Sequence, residues 1–184
     1  MDPKQVILVA VALVALVAIV WVLVRRERTN KLRKRFGPEY DRAVRENGTQ
    51  RAEAALLQRE KRAQSFSLRE LSSEEREGLV TEWRLVQLHF VDDPQAAVSE
   101  AERLVDHLME SCGYPISDFE QQAADISVDH PHVVDNYRAA HQIAMRHRQD
   151  QASTEDLRNA MICYRSLFDE LLQSKTTAIK SEVA

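Results

Sequence analysis

Residues 126–141, ISVDHPHVVDNYRAAH, hold side chains of the kinds that bind metals or transfer protons. Three histidines lie within these sixteen residues, together with aspartates and a tyrosine. Imidazole and carboxylate groups are common zinc ligands, and the same groups serve as general acids and bases in enzymes. The candidate residues are Asp129, His130, His132, Asp135, Tyr137 and His141.

The same stretch also fits the entrance of a helix. Pro131 is tolerated in a first helical turn, with Asp129 or His130 as the cap. Two helical residues that are two positions apart point about 200° apart, so His130 and His132 share a metal only if His130 lies outside the helix. We therefore favour a capped entrance with His141 as a hydrogen-bonded core or groove histidine. An exposed recognition surface and a metal or acid–base site remain open as alternatives.

The charges are divided unevenly along the 184 residues, of which 29% are charged and 44% hydrophobic. Residues 1–62 carry 14 Lys and Arg against 7 Asp and Glu, a net charge of +7. Residues 63–184 carry 11 against 22, a net charge of −11. The sequence therefore predicts a basic stem followed by an acidic body.

Residues 6–24, VILVAVALVALVAIVWVLV, form an uninterrupted apolar run of 19 residues. A helix of that length is about 28 Å long, close to the roughly 30 Å hydrocarbon core of a bilayer. A cleavable signal peptide carries its positive charge before the apolar run, whereas here most basic residues follow it. We expect a single membrane span.

The segment RRERTNKLRKR, residues 25–35, places seven basic residues directly after the predicted span. By the positive-inside rule this flank stays cytoplasmic, which predicts an inner-membrane protein with its N-terminus outside and its body inside. Attraction to anionic lipid headgroups, about 1 kcal/mol per basic residue, explains the charge. The acidic body argues against nucleic acid as a partner. The predicted membrane-surface residues are Arg25, Arg26, Arg28, Lys31, Arg33, Lys34 and Arg35.

Beyond residue 35 the apolar residues recur at helical intervals, and no segment alternates as a half-buried strand would. The sequence predicts an all-α fold, with helix starts at three capping pairs: Ser72 with Glu75, Ser117 with Glu120, and Ser153 with Asp156. The expected organisation is an N-terminal tail and transmembrane helix over residues 1–24, a basic juxtamembrane helical stem over 25–62, an acidic helical bundle over 63–173, and a flexible tail over 174–184.

Other catalytic motifs are missing from the sequence. The four glycines stand apart from one another, so neither a phosphate-binding loop nor a dinucleotide fingerprint is present. Cys112 and Cys163 lack the spacing of metal ligands, and we expect both to be reduced thiols of a cytosolic bundle. The sequence predicts no cofactor.

Several segments together resemble an uncharacterised family of small single-pass membrane proteins from actinobacteria and related bacteria. They are RKRFGPEYDRAV (33–44), HFVDDPQAAVSEAERLV (89–105), GYPISDFEQQAADISVDHPHVVDNYRAAHQIA (113–144) and STEDLRNAMICYRSLF (153–168). The resemblance implies a bacterial inner-membrane setting. It implies no activity, ligand or catalytic residue.

The sequence thus favours a non-enzymatic interaction or scaffolding module, anchored at the cytoplasmic face of a bacterial membrane and bound to another protein. The alternative is a metal-dependent or acid–base activity centred on residues 129–141. The predicted contact surface is the polar edge of residues 113–141, comprising Tyr114, Asp118, Glu120, Asp125, Asp129, His130, His132, Asp135 and Tyr137.

Overall fold

The computed structural model describes residues 3–173, and these form eight α-helices without a strand. The side chains of residues 1–12 and 14, and the whole of the predicted tail 174–184, lie outside the described residues. The helices are α1 (Pro3–Phe36), α2 (Pro38–Asn47), α3 (Thr49–Ala63), α4 (Ser73–Asp92), α5 (Pro94–Ser111), α6 (Phe119–Asp129), α7 (Val134–His147) and α8 (Thr154–Gln173). The predicted all-α fold is confirmed over the described residues.

The chain divides into two compact units, Met1–Leu57 and Gln58–Ala184, and the division falls within α3. The second unit begins at Gln58, whereas the sequence places the start of the bundle at residue 63. The last turn of the predicted stem therefore belongs to the acidic unit.

In the first unit, α1 is one continuous helix of 34 residues that includes both the apolar run and the basic flank. Near its end, Leu32 and Phe36 are buried. Glu53 of α3 accepts hydrogen bonds from the Thr29 hydroxyl at 2.7 Å and the Tyr40 hydroxyl at 3.1 Å. These contacts fold α2 and α3 onto the end of α1.

Within the part of the chain that the structure describes, no helix is both long and apolar enough to cross a membrane. The predicted span over residues 6–24 includes residues 6–12 and 14, whose side chains lie outside the description. The span stays a prediction.

In the second unit, α8 packs against α5 and α7, and α5 also packs against α4. Each of these helices turns one apolar stripe inward, as the 3.6-residue periodicity predicts. At the centre, the Trp83 and Phe168 rings stack at 4.7 Å between centroids, and the Tyr164 side chain is fully buried. A covered core of this kind is the main source of stability in a helical domain.

The end of α3 is held to α6 by an ion pair. Arg62 donates from Nε to both carboxylate oxygens of Asp125, at 3.0 and 3.3 Å, and Asp125 is only 1% exposed. Gln121 donates a third hydrogen bond to Asp125 at 2.7 Å, and Arg59 donates to Ser127 at 3.2 Å. Arg62, a basic residue of the predicted stem, thus pairs with a buried carboxylate of the bundle.

Two of the three predicted helix caps are confirmed, and one is wrong. Ser72 and Glu75 form a reciprocal capping box at the start of α4, and Ser153 and Asp156 do the same at the start of α8. The cap of α6 is Asp118, whose carboxylate accepts from the Gln121 backbone N–H, and not Ser117. A carboxylate at this position fulfils the same requirement as a serine hydroxyl, so the spacing alone did not choose between them.

Candidate functional site

The predicted helix entrance at Asp-His-Pro is in fact a boundary between two helices. α6 continues to Asp129, and the backbone N–H of His130 donates to the carbonyl of Ile126 at 2.8 Å. Pro131 disfavours a helical conformation of the preceding residue, and His130 has φ −127° and ψ 54°. A turn follows, and α7 begins only at Val134. The prediction that Asp129 or His130 caps the second helix is therefore wrong.

His141 lies half-buried between three elements, in agreement with the favoured interpretation. Its ring stacks on Phe119 with centroids 3.6 Å apart and planes 7° from parallel. Its Nδ1 lies 3.0 Å from Glu102 Oε1 of α5, and the other oxygen of Glu102 accepts from Arg148 at 2.6 Å. His141 therefore joins α5, α6 and α7 through one ring.

The other two candidate histidines have different surroundings. His130 Nδ1 lies 3.1 Å from Glu170 Oε1 of α8, whereas the His132 side chain is exposed in the turn. Because His130 and His141 pair with carboxylates of different helices, the stretch is not one convergent site. Among the described residues, no three His, Cys, Asp or Glu side chains form a group that could hold a metal ion.

Part of the predicted contact surface is buried, and this part of the prediction is wrong. Tyr114, Asp125 and Tyr137 are 6%, 1% and 2% exposed, because their side chains pack into the bundle. Asp129 and Asp135, by contrast, are exposed. The exposed remainder at the α6–α7 turn, with Glu170 beside it, is called the acidic corner here: Asp129, His132, Asp135 and Glu170.

A second group, the polar cluster, lies between α5 and α7 and consists of Glu102, Asp106, Tyr137 and His141. Burial, together with the negative charge of Glu102, raises the pKa of Asp106 to about 6, while the Tyr137 hydroxyl and His141 act in the opposite direction. Burial and the two carboxylates also raise the pKa of Tyr137. The Tyr137 hydroxyl donates to Gln122 of α6 at 3.1 Å.

The polar cluster brings together an imidazole, two carboxyl groups and a phenol, with the His141 ring 3.0 Å from Glu102. A cavity of about 550 Å³ on the bundle is lined by other residues of α4 and α5, so it does not open onto the cluster. The arrangement fits a buried network that specifies how α5, α6 and α7 pack.

Glu102 and Asp106 were not identified as candidates from the sequence, although a signal exists. One face of α5 carries, in order, Val98, Glu102, Asp106 and Met109, which are four, four and three residues apart. Val98 and Met109 are both buried. Carboxylates that interrupt an apolar stripe are expected to face a buried partner. The sequence does not say which of the other helices supplies that partner.

The basic flank of α1 forms a separate surface. All seven predicted membrane-surface residues, Arg25, Arg26, Arg28, Lys31, Arg33, Lys34 and Arg35, have exposed side chains. The Arg25 guanidinium lies 5.3 Å from the centroid of the Trp21 ring, at the border between the apolar and the basic segments. An aromatic ring beside a cation at such a border is typical of a membrane interface.

No family model, curated protein or solved structure matches this chain. The resemblance to actinobacterial membrane proteins stays a prediction.

Proposed function

We propose that this chain is a non-enzymatic recruitment module, with α1 anchored in a bacterial inner membrane and the acidic unit in the cytoplasm, where it binds a second protein. The observation that carries the proposal is the apolar surface of α1, which continues without a break into the exposed basic flank.

At position 13 and over residues 15–24, where its side chains are described, α1 is apolar around its whole circumference. The large apolar side chains at positions 13, 16, 17 and 19–24 are 43–63% exposed. Consecutive residues from 19 to 24 cover more than one and a half turns, so no single stripe contains them. A helix that is apolar on all sides is stable in hydrocarbon or in a protein interior, and costs free energy in water.

The charge distribution supports the proposed orientation. The flank of seven basic residues lies within about 16 Å of the apolar run along the helix, close enough to reach lipid headgroups. The acidic unit carries the opposite charge and is repelled by the same anionic surface. The unit would therefore present its surface to proteins and not to lipid.

The acidic corner is the proposed contact surface. Asp129, Asp135 and Glu170 are carboxylates around one turn, and their side chains are exposed or half-exposed. Asp135 lies 3.5 Å from Arg138 and Glu170 lies 3.1 Å from His130 within the unit. A partner that adds further pairs to this negative surface would carry a basic segment, since charge complementarity guides both the rate and the orientation of association.

The anchor is tested by membrane extraction of the full chain with alkaline carbonate. Replacing Leu16 and Ile19 together by Asp adds about 5–7 kcal/mol to the cost of inserting the helix, and we expect the chain to leave the pellet. The matched control, Leu16→Val with Ile19→Val, is expected to stay there. A wild-type chain that is fully extracted would refute the anchor.

The contact surface is tested by crosslinking in native membranes. We expect Asp129→Asn with Asp135→Asn to reduce the yield of a defined crosslinked partner, because two charges are removed from the corner. Glu74→Gln with Glu77→Gln removes two exposed charges from α4 and serves as the control. Equal yields from both double variants would exclude the corner.

A further inference from the structure

α4 carries an exposed apolar stripe that no other element of its unit covers. Leu85, Leu88 and Val91 are 60%, 67% and 80% exposed, and they follow one another at intervals of three residues. Leu85 also borders the open cavity of about 550 Å³, whose lining is otherwise mostly polar: Glu82, Val86, His89, Glu100, Arg103, Leu104 and His107. Over the described part of Gln58–Ala184, the other large exposed apolar side chains lie in three separate places: Ile116 in the loop before α6, Met145 in α7 and Ile162 in α8.

Single exposed apolar residues are normal on a protein surface, whereas a contiguous stripe marks a contact. We infer that the α4 stripe is the interface between two copies of this chain, paired antiparallel about a two-fold axis that passes beside Leu88.

The apolar residues satisfy the symmetry that such a pairing requires. Leu85 lies three residues before Leu88, and Val91 lies three residues after it, which places each about 4.5 Å from Leu88 along the helix. In an antiparallel pair, Leu85 of one copy is level with Val91 of the other. A two-fold interface needs a surface that is complementary to itself in this way.

The charges select the antiparallel direction. Arg84 and Asp92 are both exposed, four residues before and four residues after Leu88, or about 6 Å to either side. In an antiparallel pair, Arg84 of one copy is level with Asp92 of the other, on both sides of the axis. In a parallel pair, Arg84 would face Arg84 and Asp92 would face Asp92, which is unfavourable.

The net charge of α4 argues against a lipid surface as the occupant of the stripe. α4 contains five acidic residues, Glu74, Glu75, Glu77, Glu82 and Asp92, and two basic ones, Arg76 and Arg84. Helices that lie on a membrane are usually basic on their polar face, because lipid headgroups are anionic. A second copy of α4 supplies both the apolar and the charged counterparts instead.

The contact itself is tested by oxidative crosslinking of full-length chains in isolated membranes and in detergent. We expect Leu88→Cys to form a disulfide-linked dimer, because the two side chains face each other beside the axis. Gln142→Cys, at an exposed position of α7, is expected to give no more dimer than the wild type, which itself contains Cys112 and Cys163. The detergent sample keeps the result independent of the proposed membrane anchor.

The direction is tested by mixing chains with two different tags and a short bismaleimide linker. Arg84→Cys chains should link to Asp92→Cys chains, and Arg84→Cys chains should not link to each other. The reverse result would show a parallel pair and overturn the inference.

Charge reversal provides an independent test of the interface. Arg84→Glu places like charges at two symmetric positions, and we expect it to lower the dimer fraction about fivefold. Adding Asp92→Arg restores opposite charges and should restore the dimer. Each of three results would overturn the inference. The first is the same loss in the single and the double variant, and the second is a Leu88→Cys chain that links only to a different protein. The third is protection of that cysteine by anionic vesicles alone.

Discussion

α1 and α8 both contain many apolar residues, yet the apolar side chains described in the two helices lie in different surroundings. In α8 one stripe of apolar residues is buried, from Leu157 at one end to Leu172 at the other, and Ile162 is the large apolar side chain that lies outside this stripe. In α1 the apolar side chains at positions 13, 16, 17 and 19–24 lie on all sides and are 43–63% exposed. The distribution of apolar residues around a helix therefore indicates which surroundings the helix needs, whereas their number does not.

This comparison assigns two separate properties to the two units. Stability of the acidic unit depends on its covered stripes and buried polar contacts, whereas the proposed retention at the membrane would depend on α1. Variants of the acidic unit should therefore change its unfolding while leaving the full chain in the membrane pellet. Each variant below is measured by thermal unfolding of the detergent-solubilised full chain, followed by circular dichroism, and by pelleting.

The largest effect is expected at the centre of the covered stripes. Phe168 is 1% exposed and stacks on Trp83, so Phe168→Ala leaves a cavity and should lower the free energy of unfolding by about 3–5 kcal/mol. Ile162→Ala, at an exposed position of the same helix, should have little effect. If Phe168→Ala released the chain from the membrane while Leu16→Asp with Ile19→Asp did not, the comparison would be reversed.

A smaller loss is expected at the turn after α5. Gly113 has φ +92°, and a Cβ there would overlap the carbonyl oxygen of Ser67. The segment around Ser67 is fixed beside this turn, because the backbone N–H of Arg69 donates to the carbonyl of Cys112. Gly113→Ala should therefore cost about 2–3 kcal/mol. Gly78→Ala, in α4 with open space around its Cα, should instead stabilise by about 0.5–1 kcal/mol. Similar changes at both glycines would contradict the structure.

These local features could be predicted from the sequence, because short-range chemistry sets them. The capping boxes at Ser72 and Ser153 require two residues three positions apart, and Pro94 after Asp93 requires only its neighbour. Gly113 ends α5 because a positive φ excludes most other residues. The boundary at Pro131 was misread because proline is compatible both with a first helical turn and with the turn that precedes it.

The contacts between distant helices, both in the polar cluster and at the Arg62–Asp125 pair, could not be predicted from the same information. Glu102 and His141 are 39 positions apart, and Arg62 and Asp125 are 63 apart. Periodicity shows which face of a helix is buried, but it does not identify the helix that covers that face. The predicted surface included Asp129, His132 and Asp135 of the acidic corner but not Glu170, and three of its other members are buried.

A moderate loss is expected at the buried ion pair. Arg62→Ala removes both hydrogen bonds from Nε to the Asp125 carboxylate while that from Gln121 stays, and should destabilise the acidic unit by about 1–3 kcal/mol. The smaller end of this range applies if water reaches Asp125, because Arg62 is 42% exposed. Lys61→Ala, on the adjacent exposed position, serves as the control. A loss of the same size for Lys61 would show that helix propensity, and not the pair, is being measured.

The smallest effect is expected at Asp106, and it should depend on pH. Burial raises the pKa of Asp106 from its usual 3.8 to about 6 in the folded protein, so the folded state holds a proton that the unfolded state releases. This stabilisation is fully present below pH 4 and is lost as the pH rises from 4 to 6. Asp106→Asn mimics the protonated carboxyl group.

The variant should therefore melt at a higher temperature than the wild type at pH 7.5, and at the same temperature at pH 4. Glu77→Gln, at an exposed position of α4, should change the melting temperature little at either pH. A difference between Asp106→Asn and the wild type that stays constant from pH 4 to 7.5 would show that the variant acts through packing. In that case the charge of Asp106 would not affect the stability of the acidic unit, and its side chain would contribute through packing alone.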